Sequence, residues 1–232
     1  MIHWYIYFSG NNFPQQCLDS GGNSVMDTVL AFFVEHISSF DHDVLHAVNS
    51  TMRSSFWDAV MPVITKLGDD GIFWIALAVI LLIPKKTRRT GAAIGVAMLL
   101  GLIIGNGILK NLIMRPRPYD IANPVLPRSR LLIDPPTDYS FPSGHTLASF
   151  EASTALFKDH TVYGFAAFVL ALLIAFSRIY LQVHYPSDVL GGAILGFLLG
   201  LAGSTIVRWV CDMWNSRKNK KEEKKASEKP AE

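Results

Sequence analysis

Two cysteines, Cys17 and Cys211, stand in a chain of 232 residues. They are too few and too far apart for a disulfide framework, and neither lies in a metal-ligand spacing. Charge is scarce as well. Only 17% of the residues are charged, 21 Lys and Arg against 19 Asp and Glu, for a net charge of +2. A nucleic-acid partner is not expected, because the basic residues near the C-terminus alternate with glutamates and have no folded module around them. Nor is a secretory leader expected: Met1 to Phe8 is aromatic-rich but lacks a basic start and a long apolar core.

Apolar residues are abundant instead, at 50% of the chain. They recur in runs of about 20, the length that crosses a hydrocarbon layer. The expected fold is all-α, a polytopic membrane helix bundle with five to six transmembrane helices. Residues 1–53 read as an N-terminal segment. Its first 24 residues are mixed and expected to be poorly ordered, and Val25 to Met52 is too polar to span and reads as an amphipathic helix. Residues 54–211 read as the membrane domain, and 212–232 as a charged, disordered tail.

The spans are expected at Phe56–Pro84, Thr90–Ile113, Ser143–Phe157, Thr161–Leu181 and Pro186–Val210. The first is interrupted by Lys66-Leu-Gly-Asp-Asp-Gly71 and reads as kinked or broken. Basic residues set the orientation. The loop Lys85–Arg89 and the tail from Arg217 fall on one side, which the positive-inside rule makes cytoplasmic. Arg115, Arg117, Arg128 and Arg130 then fall outside, against the rule.

Three polar clusters sit at the outer border of these runs, where charge is costly unless it is paired or functional. In the first, Lys110 and Arg117 are separated by nearly two helical turns, so both cations can point one way. Arg117 offers a planar fork that matches phosphate oxygens, and Lys110 a point charge. Snorkelling to lipid headgroups is the plain alternative. In the second cluster, Phe141-Pro-Ser-Gly-His-Thr146, Ser143 is expected to cap a helix whose free N–H groups form an anion site. Gly144 lets a ligand approach the backbone, and His145 is placed to move a proton. An ordinary capped helix start is the alternative. The third cluster holds Arg178, His184 and Asp188. Asp188 can fix the tautomer of His184, or it can simply pair with Arg178.

Together these residues form the pattern Lys110-x6-Arg117-Pro118, Pro142-Ser143-Gly144-His145 and Ser177-Arg178-x5-His184-x3-Asp188. This pattern closely resembles the three-part signature of the type 2 phosphatidic acid phosphatase and haloperoxidase superfamily, over roughly Trp57 to Val210. The resemblance implies a membrane lipid phosphatase. His184 would attack phosphorus and form a phosphohistidine, with Asp188 orienting it. His145 would act as acid and then as base. Lys110, Arg117, Arg178, Ser143 and Gly144 would clamp the phosphate oxygens. Neither a metal nor any other cofactor is implied.

The implied partners are the bilayer and a lipid phosphate or diphosphate. Bacterial undecaprenyl-diphosphate phosphatases match best in size and layout, and place the site on the extracytoplasmic face of the cell membrane. Phosphatidylglycerophosphate and phosphatidic acid phosphatases share the same signature. A vanadate-dependent haloperoxidase, soluble by family habit, and a non-enzymatic lipid binder are the more distant alternatives. The two histidines need opposite protonation states, so a bell-shaped pH–rate profile is expected. Arg115, Arg128, Arg130, Asp134 and Asp138 are not expected to be catalytic. Glu151, inside the third span, is expected to face the bundle interior.

Overall fold

The computed structural model describes residues 25–121 and 124–227, with side chains described from 35 to 223. The expectation for residues 1–24 lies outside them. Seven helices carry the fold among the described residues. α1 is Val25–Ala47, and a π turn, Val48–Met52, closes it. α2 is Ser55–Lys66, started by Ser54, whose side chain accepts the Trp57 N–H at 3.4 Å. α3 is Ile72–Leu82. α4 is Arg88–Ile113, with π geometry over Leu102–Leu109. After a long loop come α5 (Gly144–Asp159), α6 (Thr161–Tyr180) and α7 (Pro186–Ser227). No strand occurs among the described residues.

The first expected span is indeed broken. A 3-10 turn, Asp69–Gly71, separates α2 from α3, and Asp70 and Gly71 take φ of 49° and 65°. Glycine accepts that left-handed conformation without strain, so the break falls at the Gly-Asp-Asp-Gly segment.

Among the described residues three helices are long and apolar enough to cross a membrane: α4, α6, and α7 up to Glu223. α5 is shorter and more polar, and it is the centre of the bundle. Its Ser149, Glu151, Ser153 and Thr154 are all buried. A helix can be polar and central only if its neighbours come close and hide its backbone. Gly192, Gly196 and Gly200 of α7 allow this. A Cβ at these positions would lie 2.9, 2.6 and 2.7 Å from the carbonyl oxygens of Ser143, Leu147 and Glu151. Such close backbone approach is the usual basis of helix packing where no water drives association. Across the opposite face of α5, the indole N–H of buried Trp74 on α3 donates to Ser149 Oγ at 3.0 Å. At the end remote from the polar clusters, Asp159 accepts from Thr90 (2.7 Å) and Arg208 (2.6 Å), tying α4, α5 and α7 together.

The expected disorder of the tail is corrected in part. α7 does not stop near Val210 but continues as helix to Ser227. Extending an existing helix avoids the cost of nucleation. Lys, Glu and Ala are good helix formers, and Lys218 meets Glu222 one turn on at 3.7 Å.

Candidate functional site

The three clusters meet at one end of the bundle. The last turn of α4 delivers Lys110, and the Pro-rich segment after it bends Arg117 inwards. The start of α5 supplies Ser143, Gly144 and His145. The end of α6, the tight loop after it and the first turn of α7 supply Arg178, His184 and Asp188 in turn. The Ser143 N–H donates to the Asp188 carbonyl at 3.3 Å, joining the second cluster to the third. A Cβ on Gly144 would lie 3.8 Å from Lys110 Nζ, so the first and second clusters also touch.

His184 is 2% exposed, and its two ring nitrogens face different surroundings. Nε2 lies 3.2 Å from Arg117 Nη1, while Nδ1 lies 3.6 Å from Asp188 Oδ2 and 3.5 Å from Ser140 Oγ. Burial and the positive charge of Arg117 hold the imidazole pKa well below its ordinary value, so the ring is neutral near pH 7. Arg117 is fixed from three sides. It donates to the Val183 carbonyl (2.6 Å), the Asp138 carbonyl (2.8 Å) and the Asp138 carboxylate (2.5 Å). Asp138 also takes the Lys110 ammonium. Burial alone would raise the Asp138 pKa, but these two cations outweigh it and bring it down to about 2.

His145 Nε2 lies 2.9 Å from Asp69 Oδ1 and 3.4 Å from Arg178 Nη1. Asp69 comes from the break between α2 and α3. The preceding Gly68 is required there, since a Cβ would sit 2.6 Å from the His145 ring. Arg178 is 2% exposed and donates to Thr65 Oγ1 of α2 at 2.7 Å.

Two expectations are corrected. Ser143 precedes α5 but makes no side-chain cap; its Oγ accepts from Thr146 Oγ1 at 3.0 Å. It is fully buried, so its hydroxyl is taken up inside the bundle rather than at the helix start. The possible Arg178–Asp188 pair does not form. Arg115 takes that place, donating to Asp188 Oδ1 at 2.5 Å and to Asp41 Oδ2 at 2.6 Å. Asp188 Oδ2 accepts from Ser140 Oγ (2.5 Å) and the Tyr185 N–H (2.9 Å).

Asp41 of α1 accepts in addition from the Ser187 N–H (2.8 Å) and hydroxyl (2.5 Å), and thereby caps the start of α7. Asp41, Arg115 and Asp188 are all under 5% exposed. Opposing charge outweighs burial and raises the Arg115 pKa. The amphipathic helix α1 is therefore bound into the site.

Sequence reasoning set aside Arg115 and Asp138 and did not single out Asp41, Asp69, Thr65 or Ser140. Two signals pointed to some of them. Asp69 sits in a carboxylate pair that interrupts an apolar run, and Arg115 departs from the positive-inside rule. Ser140 and Thr65 carry no such signal.

The sequence matches the family model described as the PAP2 superfamily over residues 90–211. The chain belongs to the PAP2 superfamily. It is 34% identical to an undecaprenyl-diphosphatase of Sulfolobus acidocaldarius over 60% of this chain and 65% of that protein. The undecaprenyl-diphosphatase BcrC of Bacillus subtilis is 29% identical over 69% of this chain and 80% of its own length. A solved transmembrane PAP2-type phosphatidylglycerolphosphate phosphatase from Bacillus subtilis superposes with a TM-score of 0.60 at 23% identity. That match covers 90% of this chain and 94% of the other, and shows a shared fold. As a PAP2-superfamily membrane protein the chain is a phosphatase of the lipid-phosphatase branch.

Proposed function

We propose that this phosphatase acts on a polyprenyl diphosphate, converting undecaprenyl diphosphate to undecaprenyl phosphate through a phosphohistidine. One observation carries the reading. A buried, neutral imidazole presents Nε2 beside a fixed guanidinium, and keeps Nδ1 towards a carboxylate. Nδ1 carries the hydrogen facing Asp188, which leaves the Nε2 lone pair free to attack.

Lys110, Arg117 and Arg178 hold the terminal phosphate oxygens, assisted by N–H groups at the start of α5 around Ser143 and Gly144. Phosphoryl transfer depends mainly on positioning and on neutralising oxygen charge, and these groups provide both. Nε2 of His184 bonds to the terminal phosphorus as the bond to the bridging oxygen breaks. The bridging oxygen leaves with the electron pair and takes a proton from Nε2 of His145, which must gain that proton as the anionic substrate binds, because burial and the Arg178 charge outweigh Asp69 and hold its pKa down to about 4 in the free protein. His145, now neutral, removes a proton from water, whose oxygen attacks the phosphohistidine. The P–N bond breaks, inorganic phosphate leaves and His184 is restored. Vanadate inhibits as a mimic of the five-coordinate phosphorus.

The extracytoplasmic placement rests on charge. Lys85, Lys86, Arg88 and Arg89 are exposed at the end remote from the site. Arg115 and Arg117 at the site end are buried in ion pairs, so their departure from the positive-inside rule reflects a structural use. The test is phosphate release from undecaprenyl diphosphate by purified protein in EDTA, beside His184→Ala. Release that persists in EDTA and vanishes in the variant is expected. Release unaffected by the substitution would remove His184 as the nucleophile.

A further inference from the structure

A cavity of about 560 Å³ opens beside the site, between α2 and residues 131–136 of the long loop. His145 and Arg178 stand on its wall together with Lys66, Asp69 and Asp134. The opposite wall is apolar, with Leu131, Leu132 and Ile133. One observation marks it as built for a ligand, the buried Arg178, and the exposed Lys66 stands beside it. Lys66 makes no ion pair among the described residues. Arg178, 2% exposed, has an Nε–H without an acceptor among them. An unanswered donor on a buried guanidinium is costly, and an anion in the cavity would satisfy it.

Its position relative to the chemistry decides which part of a substrate it receives. On the function proposed above, His184 approaches the terminal phosphorus from the Arg117 side. The departing oxygen must then emerge near His145, the group that protonates it, and His145 lines this cavity. We propose that the cavity is a leaving-group subsite, holding the proximal phosphate of a polyprenyl diphosphate on Lys66 and on the Nε–H of Arg178, which thus bridges the terminal and proximal phosphates, while the first isoprene units lie along residues 131–133.

Charge and shape support that occupant. Two cations share the wall with two carboxylates, one of which, Asp69, is engaged by His145. Such a wall suits a group with a single negative charge, as the proximal phosphate of an alkyl diphosphate has, better than a second dianion. The apolar wall continues outwards, since α2 exposes Val63 and Leu67 on the same stretch as Lys66, at 64% and 39%. A prenyl chain leaving the cavity would run along this exposed apolar stretch. A phosphomonoester of the same tail would place only carbon and a single oxygen here, and would gain nothing from Lys66.

The experiment compares farnesyl diphosphate with farnesyl monophosphate, which share a tail and differ by one phosphate. Phosphate release is measured for the wild type, Lys66→Gln and Lys66→Arg in detergent. The ratio of kcat/KM for diphosphate over monophosphate should fall about tenfold in Lys66→Gln, the scale of one charge-assisted hydrogen bond. Lys66→Arg should retain most of the ratio. An unchanged ratio in Lys66→Gln, whether both activities persist or both fall, overturns the subsite. Failure of the function itself looks different: the wild type releases no phosphate from the diphosphate, or release survives His184→Ala.

Discussion

Asp138 lies between Lys110 and Arg117, the two cations proposed to grip phosphate oxygens, and its carboxylate occupies donors that a substrate needs. With its pKa near 2 it stays charged across the working range, so it competes with a phosphate at every ordinary pH. Asp138→Asn should therefore strengthen inhibition by inorganic phosphate or vanadate, lowering the inhibition constant about tenfold for one charge pair relieved. Equal or weaker inhibition would mean that the carboxylate instead holds the two cations in place. His184 makes a second prediction. Its depressed pKa means that protonation, which removes the attacking lone pair, sets in only below the ordinary histidine value of 6.5. The acid limb of kcat/KM should lie below pH 6.5 and resist moderate acidification; a limb centred above 6.5 would contradict the assignment. The same ring bears on stability. The unfolded state binds its proton at higher pH than the folded state does, so stability should fall as pH drops through 6.5.

Among the elements, α1 shows where sequence reading runs short. Its polar-apolar alternation announced a helix, but periodicity says nothing about what a polar residue on that helix will meet. Asp41 meets Ser187 and Arg115, partners 146 and 74 positions away, and no local pattern encodes such distances. Removing Asp41 leaves Arg115 with Asp188 alone and takes the acceptor from the Ser187 N–H and hydroxyl, so Asp41→Ala should destabilise the protein by about 2 kcal/mol. Thermal unfolding in detergent measures this, and a shift too small to resolve would show that α1 is not held by that pair.

The three long apolar helices and the break between α2 and α3 were legible because apolar runs and glycine breaks are local features. The eight candidate residues were legible through a local pattern too, and the structure gathers them at one end of the bundle. Residues that act through tertiary contact, such as Ser140 and Thr65, were not legible. The tail was misread for the converse reason: composition alone does not register that a helix already exists to be extended.

At the scale of the molecule, asymmetry is the governing property. One end gathers buried opposite charges and the long loop after α4, and at the other Lys85, Lys86, Arg88 and Arg89 are exposed. A cysteine placed at Lys86 should react with an impermeant thiol reagent only from the cytoplasmic side of oriented vesicles, and one at Arg130 only from the other. Reaction of both from one face would contradict the arrangement of spans.

The bond between Asp41 and Ser187 has a consequence in time. The ribosome makes Asp41 first and Ser187 146 residues later. At 5–20 residues per second, that interval is roughly 7–30 s. Throughout it the carboxylate has no capping partner, and it cannot enter the hydrocarbon without a heavy desolvation cost. Nascent α1 can pair Asp41 with Arg115 once residue 115 is made, but its bond to the start of α7 waits for Ser187. Chains cut short before residue 187 would carry α1 without that second tie.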